Sequence, residues 1–197
     1  LGRRRASHPR CGAHGADDVA FERDTLFKSH ILHDVSLEVR QNEVVALVGR
    51  NGAGKTSTLK SVMGLNPPRR GEVYCLGSRV TGNTPEQIAR LGIGLVPQGR
   101  RLFPNLTVAE NLRLGGLRRT NGGGAHWNRE RIFHYFPKLQ SLIDTKADVL
   151  SGGEQQMVAI ARALAGHVRF LLLDEPFEGL SPTVKEEVFR SIDQLRG

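Results

Sequence analysis

Cysteine is scarce in this sequence, and the two present, Cys11 and Cys75, lie far apart. That excludes a disulfide framework and a thiolate metal cluster, and it fits a reducing compartment. Cys75 sits in the strand-like run Glu72-Val73-Tyr74-Cys75-Leu76 and reads as core filler. Long apolar runs are missing too. None approaches the roughly 20 residues needed to cross a bilayer, so the chain does not span a membrane by itself. Aromatic residues make up only 6%, and the single tryptophan, Trp127, follows a Gly-rich break at Asn121-Gly122-Gly123-Gly124, where local packing is its simplest use. Acidic residues are outnumbered 20 to 28 by Lys and Arg, giving a net charge of +8. The excess points to polyanionic partners without choosing between nucleic acid, acidic lipid and nucleotide phosphate. Part of it, Arg3, Arg4, Arg5 and Arg10, lies in an opening stretch of Gly, Ala, Ser and Pro without a period. That stretch, about residues 1–25, reads as a solvated or atypical arm, and it lacks the apolar centre of a secretory signal.

What is present is enough for one α/β domain of ordinary composition within 197 residues. Val35, Leu37 and Val39 alternate as in a half-buried strand. Val44-Val45-Ala46-Leu47-Val48 is a continuous apolar run of strand length, predicted to be a buried strand that leads through a Gly-rich turn into a helix from Ser57 to Met63, closed by Gly64. Capping-box spacing recurs three times. Thr84-Pro85-Glu86-Gln87 opens a helix to Arg90, Thr107-Val108-Ala109-Glu110 a second, and Ser151-Gly152-Gly153-Glu154 a third with Met157, Ile160, Ala161 and Leu164 at helical spacing. Ile93–Val96 and Phe170–Leu173 read as strands, and Ser181-Pro182 opens a last helix towards Leu195. Strands alternating with helices imply a mainly parallel sheet, with a largely helical insertion from about residue 105 as a lobe on it.

Chemistry enters with Gly49-Arg50-Asn51-Gly52-Ala53-Gly54-Lys55-Thr56, which matches G-x-x-x-x-G-K-[ST] between a predicted strand and a helix. Backbone N–H groups from Asn51, Gly52, Ala53, Gly54 and Lys55 onward to Thr56 and Ser57 are placed to surround nucleotide phosphates, with the helix dipole adding to them. Lys55 supplies a point charge between the terminal phosphates and Thr56 a hydroxyl for Mg²⁺. A second metal-directed oxygen is Asp174, at the end of the strand Phe170–Leu173, where it faces the same crevice. Glu175 follows, and alternation along a strand would turn it towards the water beyond the last phosphate.

Those residues describe a P-loop NTPase, a class that still takes in kinases, GTPases, helicases and transport ATPases. Leu150-Ser151-Gly152-Gly153-Glu154-Gln155-Gln156 resembles the signature motif of ABC ATPases, in the family's order before the acidic strand end. The resemblance runs from about His30 to the end of the chain. It implies a P-loop fold of the ABC ATPase type over residues 26–197, with a helical lobe over about 105–165, and ATP with Mg²⁺ bound and hydrolysed between two cassettes. Ser151, Gly152, Gly153 and Glu154 would then form a second phosphate surface. Val96-Pro97-Gln98 resembles the Q-loop, which implies that Gln98 reaches Mg²⁺ or the attacking water. Taken alone, a glutamine after a strand is an ordinary surface residue. The segment Gln98 to Leu112, with His30-Ile31-Leu32, Phe136-Pro137-Lys138-Leu139 and Glu178-Gly179-Leu180-Ser181-Pro182, is similar to ATP-binding subunits of branched-chain amino acid importers; urea-type importers share several of these phrases.

That likeness implies transmembrane permease subunits as partners, with a second ABC ATPase subunit, the same or related. A periplasmic solute-binding protein would act indirectly and no nucleic acid is expected. The site of action would be the cytoplasmic face of the inner membrane. Phe103, Pro104 and Leu106 lie in the stretch the family places near its transmembrane partners; burial in the lobe is the other reading. Some features depart from the pattern. Leu26-Phe27 stands where relatives carry Tyr-Gly, so Phe27 either stacks on adenine or packs in the core. Ser181 replaces a common Asp, and the family's switch residue, usually His, would fall after Gly197. A non-hydrolysing nucleotide-binding module and a soluble ABC ATPase acting on nucleic acid or ribosomes remain alternatives. His30, His33 and His134 are scattered and read as surface or packing residues.

Overall fold

The computed structural model describes residues 19–22, 32, 35–117 and 127–195. Strand β1 (Val19–Glu22) pairs antiparallel with β2 (Leu37–Val39) on one edge and with β3 (Glu72–Cys75) on the other. A two-residue turn, Leu76 and Gly77 both at positive φ, returns β3 into β4 (Ser78–Arg79), giving the order β2-β1-β3-β4. Val19–Glu22 belongs to the stretch expected to be an arm. It is a paired strand, while the rest of that arm, Phe27, His30, His33, Cys11 and the break at Asn121–Gly124 lie outside the described residues.

The parallel pairing expected of the sheet is found between β5 (Ile93–Val96) and β6 (Phe170–Leu173), in register from Ile93 opposite Phe170 to Val96 opposite Leu173. The crossover between them carries the helical insertion. It comprises α3 (Val108–Gly116), α4 (Arg129–Tyr135), α5 (Lys138–Ser141), a 3₁₀ turn (Ala147–Val149) and α6 (Gly152–Leu164). Before it come α1 (Lys55–Val62) and α2 (Pro85–Arg90), and after β6 comes α7 (Pro182–Gln194). All three expected capping boxes form, at Thr84, Thr107 and Ser151, each satisfying two N–H groups that would otherwise be orphaned.

Helix α6 is the hub. Met157, Ile160 and Leu164 are buried with Val108, Leu112, Ile132, Phe136, Leu139 and Val188 from its neighbours. A second cluster joins Val62, Val73, Cys75, Val80, Ile88, Ile93 and Leu172, so the β5–β6 pair is packed on both faces. Close approach needs glycine at two helix contacts. A Cβ on Gly115 would collide with the Arg162 carbonyl, and one on Gly153 with the Val184 side chain.

The segment Val44–Val48 departs from expectation. It forms no strand, and Val44, Val45 and Val48 are 55%, 37% and 93% exposed. An apolar run becomes a strand only when another strand edge accepts its backbone hydrogen bonds; among the described residues neither sheet does so here. No helix among the described residues is long and apolar enough to cross a membrane.

Candidate nucleotide site

The loop Gly49–Thr56 ends in α1, and its backbone conformation requires glycine at two of its positions. Gly52 and Gly54 have φ of 84° and 94°. A Cβ at Gly52 would meet nothing within 4 Å, so conformation and not space selects glycine there. Gly54 is the N-cap of α1, which has no side-chain cap and no acidic residue in its first turn. The N–H groups at the start of α1, from Lys55 through Ser57, are thus available to an anion. Asn51, Gly52 and Ala53 are exposed, and the Ala53 N–H closes a turn onto the Arg50 carbonyl at 3.1 Å. The Lys55 ammonium donates to the carbonyls of Gly49 at 3.0 Å and Arg50 at 3.3 Å, and stands 3.8 Å from Glu175 Oε1.

Strand β6 delivers the acidic pair. The Asp174 N–H donates to the Val96 carbonyl at 2.9 Å, extending the ladder one residue beyond the strand. Its carboxylate is buried and accepts a hydrogen bond from the Thr56 hydroxyl at 2.8 Å, across 118 residues of sequence. The two oxygens expected to hold Mg²⁺ are therefore neighbours. Glu175 diverges from Asp174 by a different device from the one expected. Its φ is 48°, a left-handed kink, so a turn and not strand alternation aims its carboxylate at Lys55 and Gln98.

The Gln98 amide donates to Glu175 Oε2 at 3.3 Å and to Glu178 Oε2 at 2.9 Å, and not to Thr56 or Asp174. Glu178 is the residue that sequence reasoning missed. Its signal was its spacing, because Pro176 follows Glu175 and a turn there, closed by the Glu178 N–H on the Glu175 carbonyl at 3.1 Å, brings positions 175 and 178 together.

Ser151–Glu154 forms a separate group. The Ser151 N–H donates to Glu154 Oε2 at 2.8 Å, and Lys138 Nζ lies 3.2 Å from Glu154 Oε1. Hydrogen bonding from the Ser151 hydroxyl, then from its N–H and the Lys138 ammonium, holds the Glu154 carboxyl below its ordinary value of 4.5 against partial desolvation. Among the described residues no hydrogen bond or ion pair joins this group to the phosphate loop. Elsewhere, His134 packs edge-on against Tyr135, and Trp127 is buried beneath the Arg131 guanidinium. Burial pushes the Cys75 thiol up to about 12, which leaves it inert.

The family model described as ABC transporter matches residues 32–178. The chain is 41% identical over 169 residues to the high-affinity branched-chain amino acid transport ATP-binding protein BraG of Pseudomonas aeruginosa, covering 86% of this chain and 72% of that protein. It is also 39% identical over 183 residues to the lipopolysaccharide export system ATP-binding protein LptB of Acidithiobacillus ferridurans, covering 87% and 73%. Among solved structures, a dimeric ATP-binding cassette in a post-hydrolysis state bound to ADP and Pi is 27% identical, with a TM-score of 0.75 over 90% of this chain and 82% of that one. Three quarters of the sequence thus carries the family pattern, on the fold of cassettes that cleave ATP: the chain belongs to the ABC transporter family and is the ATP-binding and hydrolysing subunit of a transporter.

Proposed function

We propose that this chain hydrolyses MgATP between two cassettes, of one kind or two, on the cytoplasmic face of the inner membrane. Hydrolysis would energise the import of branched-chain amino acids or a related small polar solute through separate permease subunits. The observation that carries the catalytic part is the convergence of Lys55, Thr56, Asp174, Glu175 and Gln98, from three separate segments, joined by the Thr56–Asp174 and Gln98–Glu175 hydrogen bonds and the Lys55–Glu175 ion pair. In this reading the loop N–H groups and Lys55 hold the phosphates. The Thr56 hydroxyl and Asp174 carboxylate are hard oxygen donors that would suit Mg²⁺, with Gln98 a further candidate, and the bound ion would supply neutralisation of phosphate charge. Glu175 accepts a proton from the water that attacks the γ-phosphorus; the bond from that phosphorus to the bridging oxygen breaks, releasing ADP and phosphate. Gln98 orients Glu175 and the water. Ser151, Gly152, Gly153 and Glu154 serve the ATP held by the other cassette, which accords with their separation from Lys55.

Beside Gln98 lies a groove of about 280 Å³ lined by Leu95, Phe103, Leu114, Ala159 and Arg162. Phe103 is 52% exposed at its edge, which supports docking of the permease there. The periplasmic binding protein would act only through the permease, and nucleic acid has no place in this reading. The identity to BraG supports an amino acid as cargo. The similarity to a lipopolysaccharide export protein favours a second reading of the cargo alone. Reconstitution with the permease separates the two: uptake of labelled leucine that depends on ATP supports import, and ATP turnover without any uptake overturns it.

A further inference from the structure

Directly after Gln98 the backbone is left-handed at three successive residues, with φ of 81° at Gly99, 61° at Arg100 and 49° at Arg101. Glycine adopts this conformation freely; the arginines do so at a cost, and such a run persists only where its surroundings hold it. Helix α6 holds it at both ends. Arg100 Nη1 donates to Gln155 Oε1 at 3.1 Å, and Arg162 Nη2 donates to the Arg101 carbonyl at 2.7 Å. Gln155 and Arg162 are seven residues apart, so they share one helix face two turns from each other. The Gln155 side chain is itself fixed, its amide donating to the Ala147 carbonyl at 2.9 Å. Gly152 leaves room for the guanidinium, since an added Cβ there would stand 3.2 Å from Arg100 Nη2. The turn closes on itself through Arg101 N–H to the Gly99 carbonyl at 2.6 Å.

We propose that Arg100 is a positioning residue: it pins this strained turn to the first turn of α6 and thereby sets the reach of Gln98 to Glu175. The proposal rests on the catalytic role given to Glu175 above. Movement of α6 is transmitted to Gln98 through two hydrogen bonds on a backbone that has little freedom to absorb it.

The test is steady-state ATP turnover together with amide hydrogen exchange on the full chain. Arg100→Ala should lower kcat about tenfold with KM for ATP within about twofold, because the contact it sets is that of Gln98 with Glu175, while Lys55, Thr56 and Asp174, which hold the phosphates and suit the metal, are untouched. Exchange at the amides of residues 98–101 should quicken severalfold while α1 keeps its protection. Arg100→Lys, which retains a donor of similar reach, should recover most of the rate. The double variant Arg100→Ala with Gln155→Ala should be no slower than the worse single one, since both remove the same contact. A kcat for Arg100→Ala within twofold of wild type, or multiplicative losses in the double variant, overturns the proposal. Glu175→Gln is measured in parallel. If it is inactive while Arg100→Ala is not impaired, the clamp is wrong and the catalytic reading stands; if Glu175→Gln turns over normally, the catalytic reading fails and the exchange rates alone decide whether the clamp exists.

Discussion

Glu175 and Asp174 are adjacent in sequence, yet their surroundings give them separable tasks. Asp174 is buried against the Thr56 hydroxyl, whereas Glu175 is turned by its positive φ towards Lys55 and Gln98. Glu175→Gln preserves size and most hydrogen bonding but cannot take a proton. ATP binding should survive while turnover falls about 10²-fold or more, measured by phosphate release. A wild-type rate would return the non-hydrolysing module to first place. Asp174→Asn should differ, losing Mg²⁺-dependent affinity as well as rate, which titration of nucleotide with and without Mg²⁺ would read. Lys55→Ala removes the one side-chain cation in the phosphate loop proper that already reaches Glu175. Calorimetry should show MgATP binding weakened by about tenfold or more, given the roughly 1.5–3 kcal/mol of a charged hydrogen bond. Unchanged affinity would remove the phosphate-loop assignment.

At the scale of elements, α6 both builds the core and presents the Ser151–Glu154 group. Its capping box ties the two roles together. Ser151→Ala should cost about 1 kcal/mol of stability, seen as a lower midpoint in urea, in addition to any loss of turnover. The Glu154 carboxyl titrates below its ordinary 4.5, held there first by the Ser151 hydroxyl. The unfolded chain therefore binds more protons than the folded one, so the stability Glu154 contributes is fully present above about pH 4.5 and is lost as pH falls through the lower folded value. Glu110, in the box that starts α3, is lowered in the same direction by its Thr107 N–H and hydroxyl hydrogen bonds. Between pH 6 and pH 3 the melting temperature of Glu154→Gln should fall less than that of wild type. Parallel pH profiles would show that the Glu154 interactions are equally strong in the unfolded chain.

For the whole molecule, the phosphate loop and the Ser151–Glu154 group are two surfaces of one chain that do not meet within it. A closed site built from both needs a second cassette, as the dimeric form of the similar cassette bound to ADP and Pi also favours. Lys55→Ala and Ser151→Arg chains, each inactive alone, should regain activity on mixing. Random pairing makes half the dimers mixed, each with one intact composite site of two, so roughly a quarter of wild-type turnover is expected. Glu175→Gln should also accumulate as an ATP-dependent dimer by light scattering during gel filtration. No recovery on mixing, with both variants folded and the Ser151→Arg chain binding ATP, would count against shared sites.

The sequence by itself determined what depends on neighbours within about four residues. The capping boxes at Thr84, Thr107 and Ser151 and the glycine-dependent turn before Lys55 were legible because their hydrogen bonds and backbone preferences are local, and the strands Ile93–Val96 and Phe170–Leu173 were legible as short apolar runs, although the hydrogen bonds that pair them with each other are not local. So was the family, through motifs whose order along the chain carries it. Tertiary structure decided the rest. Val44–Val48 has the composition of a strand, but composition cannot supply a partner edge, and the run stays unpaired. The same limit applies to Val19–Glu22, whose strand exists only through partners some 18 and 53 residues away. The kink that aims Glu175, the Gln98–Glu178 bond across 80 residues and the Arg100–Gln155 contact across 55 arise only where β5, β6 and α6 have packed. Local energies select elements; which side chains meet between elements is set by the single packing that buries the apolar faces of α6 and the β5–β6 pair together.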